Sequence, residues 1–213
     1  NAERKSTPLV GIFLGLVTLG ALFWTSNILG FGEFEYQYNP SDRFFFARRI
    51  SLVICGIIGI CAFERSNPLP ALSKLFRKFP VRYALYALLW GLLIGYISPT
   101  QQIRGGINAV LAMGVLHVIA EEIFFRGMLT RILLNQTTSS TVAIALSAAL
   151  FGLYQLTYAS AWLNLALSMK LYWVGVTTVA IGLPFAWLYS KTKTIWPSLI
   201  AYAICHLLVL WNS

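Results

Sequence analysis

Apolar stretches, each about as long as a helix needs to cross a bilayer, divide this chain almost end to end. They run over 9–31, 45–63, 81–98, 106–134, 140–158, 171–190 and 194–212. A spanning helix takes about 20 largely apolar residues, and in lipid its backbone must satisfy its own hydrogen bonds. The pattern therefore predicts an all-α fold, a polytopic transmembrane helix bundle of about seven spans. Composition points the same way: 58% of residues are hydrophobic and 11% charged, against the roughly 25% charged of a soluble domain. The length of 213 residues suits one bundle with short loops and no separate soluble domain. Leu9 to Phe31 reads as a first span, since no signal-type cleavage site with small residues follows it.

The net charge of +9 does not point to nucleic acid, because the basic residues sit between apolar spans, as membrane topology requires. The segment 64–82 carries Arg65, Lys74, Arg77, Lys78 and Arg82 and is expected in the cytoplasm. Arg4 and Lys5, and the Lys191 to Lys193 turn, then fall on the same side, with Arg131 near the inner end of the fourth span. Arg43, Arg48, Arg49, Arg104 and Lys170 fall outside, as does the loop holding Glu33, Glu35 and Asp42. The expected protein is N-inside and C-outside, in a bacterial inner membrane for which the short loops are suited. Residues 1–104 read as three N-terminal spans with the basic loop, and 105–213 as a membrane core. Cys55, Cys61 and Cys205 lie in apolar runs without metal or redox spacing and read as small buried side chains.

The fourth span carries what folding alone does not require. It reads Val115-Leu-His-Val-Ile-Ala-Glu-Glu-Ile-Phe-Phe-Arg-Gly-Met-Leu129, with two adjacent glutamates. A carboxylate at membrane depth costs about 2.5–3.5 kcal/mol on insertion scales, and two side by side repel. On a helix, residues i and i+4 share a face, so Glu122 and Arg126 can pair, while Glu121 points elsewhere with His117 as its i−4 neighbour. One glutamate is then structural and the other available for chemistry. The bland alternative is a buried polar network that locks helices together. Other polar residues in later spans can join: Gln155, Tyr202 and His206, the last two also i and i+4. A zinc site from Glu121, His117 and His206 lacks any HExxH-like pairing, and Cys205 points away from its neighbour His206. No metal and no cofactor is expected.

Glu121-Glu122-Ile-Phe-Phe-Arg126 matches the EExxxR motif, and the chain here resembles the CPBP intramembrane proteases. This is the CAAX-protease and bacteriocin-processing (Abi) family, which includes the type II CAAX prenyl endopeptidase. The resemblance covers roughly 105–212. The family's FxxxH falls on Phe151 to Gln155, and its HxxxN, after an Ile-Trp-Pro-Ser-like helix start, on Tyr202 to His206. Three positions depart: Gln155 and Tyr202 stand where the family has histidines, and His206 where it has asparagine. The resemblance implies Glu121 as the base activating water, with its second-motif histidine partner lost at Gln155, and Glu122 and Arg126 as a supporting pair. On the residues' own chemistry, Gln155, Tyr202 and His206 offer hydrogen-bond donors to the oxyanion. His206 or His117 could stand in for the lost imidazole.

The expected function is an intramembrane glutamic endopeptidase acting on a membrane-associated or lipidated protein substrate. A catalytically inactive member, binding a membrane partner or giving immunity to a peptide toxin, is the alternative. A proton-coupled transporter would also explain buried carboxylates, but no pair of Gly- or Pro-broken helices recurs in two halves.

Overall fold

The computed structural model describes residues 43–64, 67–77, 81–97, 115–155 and 167–211, and among these every regular element is a helix. They are α1 (Arg43–Glu64), α2 (Pro68–Leu75), α3 (Val81–Ile97), α4 (115–136), α5 (Ser140–Gln155), α6 (167–192) and α7 (Trp196–Trp211). The helix ends fall within a few residues of the expected span ends. The expected first span, 9–31, the loop with Glu33, Glu35 and Asp42, and the start of the fourth span lie outside the described residues. So do most residues of the 159–170 stretch, whose last four belong to α6. Among the described residues no single helix is long and apolar enough to cross a membrane by itself. Arg49–Glu64 and Pro68–Leu75 meet that requirement together, as a bent pair.

Two helices depart from regular α geometry. In α4 the backbone is α-helical to Glu121, π-helical over Glu122–Thr130, and α-helical again over Arg131–Gln136. In α6 a π-helical stretch covers Thr177–Gly182. Such i→i+5 turns are rare and recur at functional sites. Every residue of α4 from 121 to 130 is buried, so this helix is enclosed on all its faces rather than along one stripe.

The chain divides into two compact units: Gln37–Met128 with Lys191–Ser213, and Asn1–Tyr36 with Leu129–Ser190. The first contains α1, α2, α3, the glutamate end of α4, and α7. Helices α3 and α7 pack closely because α3 has glycine at the contact. A Cβ on Gly91 would meet the Ala201 carbonyl oxygen at 2.5 Å. The opposite side of α3 leaves Leu85, Leu89 and Leu92 exposed, an outward apolar surface of the kind a lipid-facing helix presents. Helix α1 approaches α4 at Gly56, whose added Cβ would lie 2.9 Å from Ile123 Cγ2 and 3.2 Å from Phe124 Cα.

The end of α2 is fastened to the turn before α7. The Leu75 carbonyl accepts from Ile195 N at 3.1 Å and Thr194 Oγ1 at 2.6 Å. Trp196 Nε1 donates to the Phe76 carbonyl at 3.1 Å. These bonds occupy carbonyls that a helix C-terminus leaves without intrahelical partners. In the other unit, α5 buries Ala143, Ser147, Leu150, Phe151 and Tyr154, the i, i+4, i+7 spacing of one helix face. The Ser147 and Thr130 hydroxyls bond each other at 2.5 Å.

Candidate active site

The glutamates sit where α4 passes from α-helical to π-helical geometry, in the unit that also holds α1 and α7. Glu121 and Glu122 are both 0% exposed. Two ionised carboxylates cannot be enclosed without compensation, since desolvating an ion costs several kcal/mol. The structure supplies each with its own cation and its own contact from α7.

Glu122 pairs with Arg126 on its own helix, Oε1 to Nη1 at 3.4 Å, as the i, i+4 spacing predicts. Ser198 of α7 lies near the Glu122 carboxylate, and its hydroxyl donates to the Ile195 carbonyl at 3.0 Å. Glu121 is held from two other helices. Arg49 of α1, itself 1% exposed, donates from Nη1 to Glu121 Oε1 at 3.3 Å. Tyr202 of α7 donates its hydroxyl to Glu121 Oε2 at 3.1 Å. His117, one turn earlier on α4, places Nε2 3.6 Å from the same Oε1. Its ring meets the Tyr202 ring edge-on, with centroids 6.4 Å apart. Ser198 and Tyr202 are i and i+4 on α7 and so face α4 together, one toward each glutamate.

The expected site residues are therefore brought together in part. Glu121, Glu122, Arg126 and Tyr202 are close-packed, with His117 beside them. Gln155 ends α5, half-buried, in the other unit. His206 lies on α7 one turn beyond Tyr202, with its side chain outside the described residues. Among the described residues no three His, Cys, Asp or Glu converge as metal ligands.

Arg49 and Ser198 were not among the expected site residues. Sequence reading counted Arg49 only as a topology-setting cation of the outer side, whereas the structure buries it against Glu121. Glu121 is thus ion-paired, not the unpaired member of the two. The available signal for Arg49 was its place, beside Arg48, inside the expected span 45–63 rather than before it. That for Ser198 was its helical register with Tyr202.

Carboxylate, imidazole and phenol converge here on one point inside a buried helix cluster. A buried carboxylate beside an imidazole can take a proton from water, and a positioned hydroxyl can bond an oxyanion. No curated protein and no solved structure matches this chain. Residues 103–208, roughly half of it, match the family model described as Rce1-like, type II CAAX prenyl endopeptidase. That match begins before the glutamates and ends beyond Tyr202, and the chain belongs to this Rce1-like family of membrane proteases.

Proposed function

We propose that this chain is an intramembrane endopeptidase of glutamic type, cleaving a membrane-associated or lipidated protein substrate. The observation that carries the reading is Glu121. It is fully buried, is held at both oxygens from α1 and α7, and has His117 beside it.

Glu121 takes a proton from a water that bonds to both its carboxylate and His117, and the hydroxide adds to the scissile carbonyl carbon. His117 here fills the role of the imidazole that Gln155 does not provide. As Glu121 gains the proton it becomes a poorer acceptor, while the carbonyl oxygen becomes an anion. The Tyr202 hydroxyl then transfers its hydrogen bond from the carboxylate to that oxyanion, a contact made only in the transition state. The proton held by Glu121 finally passes to the leaving amine, which separates the peptide and restores the carboxylate. Glu122, ion-paired with Arg126, keeps the helix end in place and takes no part in proton transfer.

The reading includes seven spans with the N-terminus in the cytoplasm of a bacterial cell, and substrates that reach the site from the membrane or the cytoplasmic side. A second reading has a specific observation in its favour: both Glu121 oxygens are already engaged, one by Arg49 and one by Tyr202, as in a structural contact between helices. On that reading the chain binds or shields a membrane partner without cleaving it.

The test is purified protein in lipid, offered a library of membrane-proximal peptides. Cleavage by the parent that disappears in Glu121→Gln is the expected result. A parent that cleaves nothing, and whose activity is not raised by Gln155→His, would favour the binding role.

A further inference from the structure

The residue that completes the Glu121 environment lies outside the part of the chain that carries the family match. Arg49 precedes the matched residues 103–208 by more than fifty positions, yet it is buried and bonded to Glu121 across 72 residues of sequence. We infer that Arg49 is a positioning residue of the active site, fixing Glu121 for proton abstraction, so that the N-terminal helices supply part of the machinery. The inference rests on the endopeptidase reading above.

Three observations support it. First, the bond is made from Nη1 at 3.3 Å, and Glu121 Oε2 is held separately by Tyr202 at 3.1 Å. Two donors on two oxygens, from two different helices, fix the carboxylate plane as well as its position. Second, His117 sits 3.6 Å from Oε1, the same oxygen that Arg49 holds. The orientation Arg49 imposes is therefore the one that turns Oε1 toward the imidazole. Third, α1 is seated closely enough to make this contact because Gly56, two turns further along, lets it approach the α4 backbone at Phe124. Glu122 has the equivalent service from Arg126 on its own helix, so Arg49 is not needed to balance that charge.

A purely structural ion pair and a positioning one differ in what their loss does. Proton transfer depends steeply on placement, and an error of about 1 Å can cost about 10²-fold in rate. Arg49→Gln is thus expected to lower kcat about 10²-fold with KM nearly unchanged. Arg49→Lys, which keeps the charge with a single point donor, should recover part of that loss.

Arg49→Gln leaves Glu121 buried without its cation, so its melting temperature should fall by about 10 °C. The double variant Arg49→Gln with Glu121→Gln should melt closer to the parent than Arg49→Gln does, which shows that the pair exists in the folded protein. If Glu121→Gln abolishes cleavage while Arg49→Gln leaves kcat unchanged or raises it, the inference is overturned and the endopeptidase reading stands. If Glu121→Gln cleaves as well as the parent, or the parent cleaves nothing, the reading fails and the inference fails with it.

Discussion

Tyr202 shows how one side chain ties the chemistry to the fold. Its hydroxyl donates to Glu121 Oε2 at 3.1 Å in the resting protein, and in the proposed reaction that proton moves its bond to the oxyanion. Tyr202→Phe keeps the ring, and with it the edge contact to His117, but removes the donor. Loss of one oxyanion donor typically costs about 10²–10³ in kcat, and that loss with KM little changed is the expected outcome in steady-state peptide cleavage. A hydrogen bond to a charged group contributes about 1.5–3 kcal/mol, so the same variant should also be measurably less stable to heat. The residues of this site were unequally legible. Glu121, Glu122 and Arg126 form one local motif, and i, i+4 geometry alone foretold the 3.4 Å pair between the last two. Tyr202 was legible as a hydroxyl in an apolar helix. Arg49 was not, because its partner lies 72 positions away and a cation near a span end has a ready explanation in topology. Sequence spacing finds partners within a helix, whereas partners between helices depend on packing.

At the scale of helices, the site depends on how closely α1 lies against α4. Gly56 sets that distance: a methyl group there would come within 2.9 Å of Ile123 Cγ2 and 3.2 Å of the Phe124 backbone. Side chains can turn away, but backbone cannot, so a larger residue must push the helices apart. Gly56→Val should destabilise the protein by about 1–3 kcal/mol, the usual cost of overpacking, read as a lower melting temperature. It should also lower kcat more than Cys55→Ala, a change at the neighbouring half-buried position of the same helix. Equal kcat in the two variants would mean that α1 can shift without disturbing Glu121. Helix limits were largely legible, because hydropathy marks where apolar runs stop: 81–98 became Val81–Ile97, and 194–212 became Trp196–Trp211. The π-helical geometry over Glu122–Thr130 was not. Apolar periodicity cannot register it in a segment buried on every side, where each position is apolar or paired and no stripe distinguishes one turn width from another.

For the molecule as a whole, the remaining matter is which way it sits in the membrane. The segment 64–82 and the 191–193 turn were placed on one side from their lysines and arginines alone. Hydrogen bonds now join the two segments, since the Leu75 and Phe76 carbonyls accept from Thr194 Oγ1, Ile195 N and Trp196 Nε1. Two segments bonded in this way lie together, which fits the even number of crossings that the expected seven-span order puts between them. Lys74, Arg77, Arg82, Lys191 and Lys193 are all exposed, and cations gathered at one end of a bundle favour the cytoplasmic side. The N-inside orientation is the one we propose, and cysteine labelling can check it. In a protein first freed of Cys55, Cys61 and Cys205, a single cysteine replaces Arg77 or Lys193, and whole cells are treated with a membrane-impermeant maleimide. Neither position should react in intact cells, and both should react in inverted vesicles. Labelling of both from outside would reverse the orientation while keeping the helix order. Labelling of the two from opposite sides would contradict the bonded contact between α2 and the turn before α7, and with it the placement of Tyr202 and Ser198 beside the glutamates.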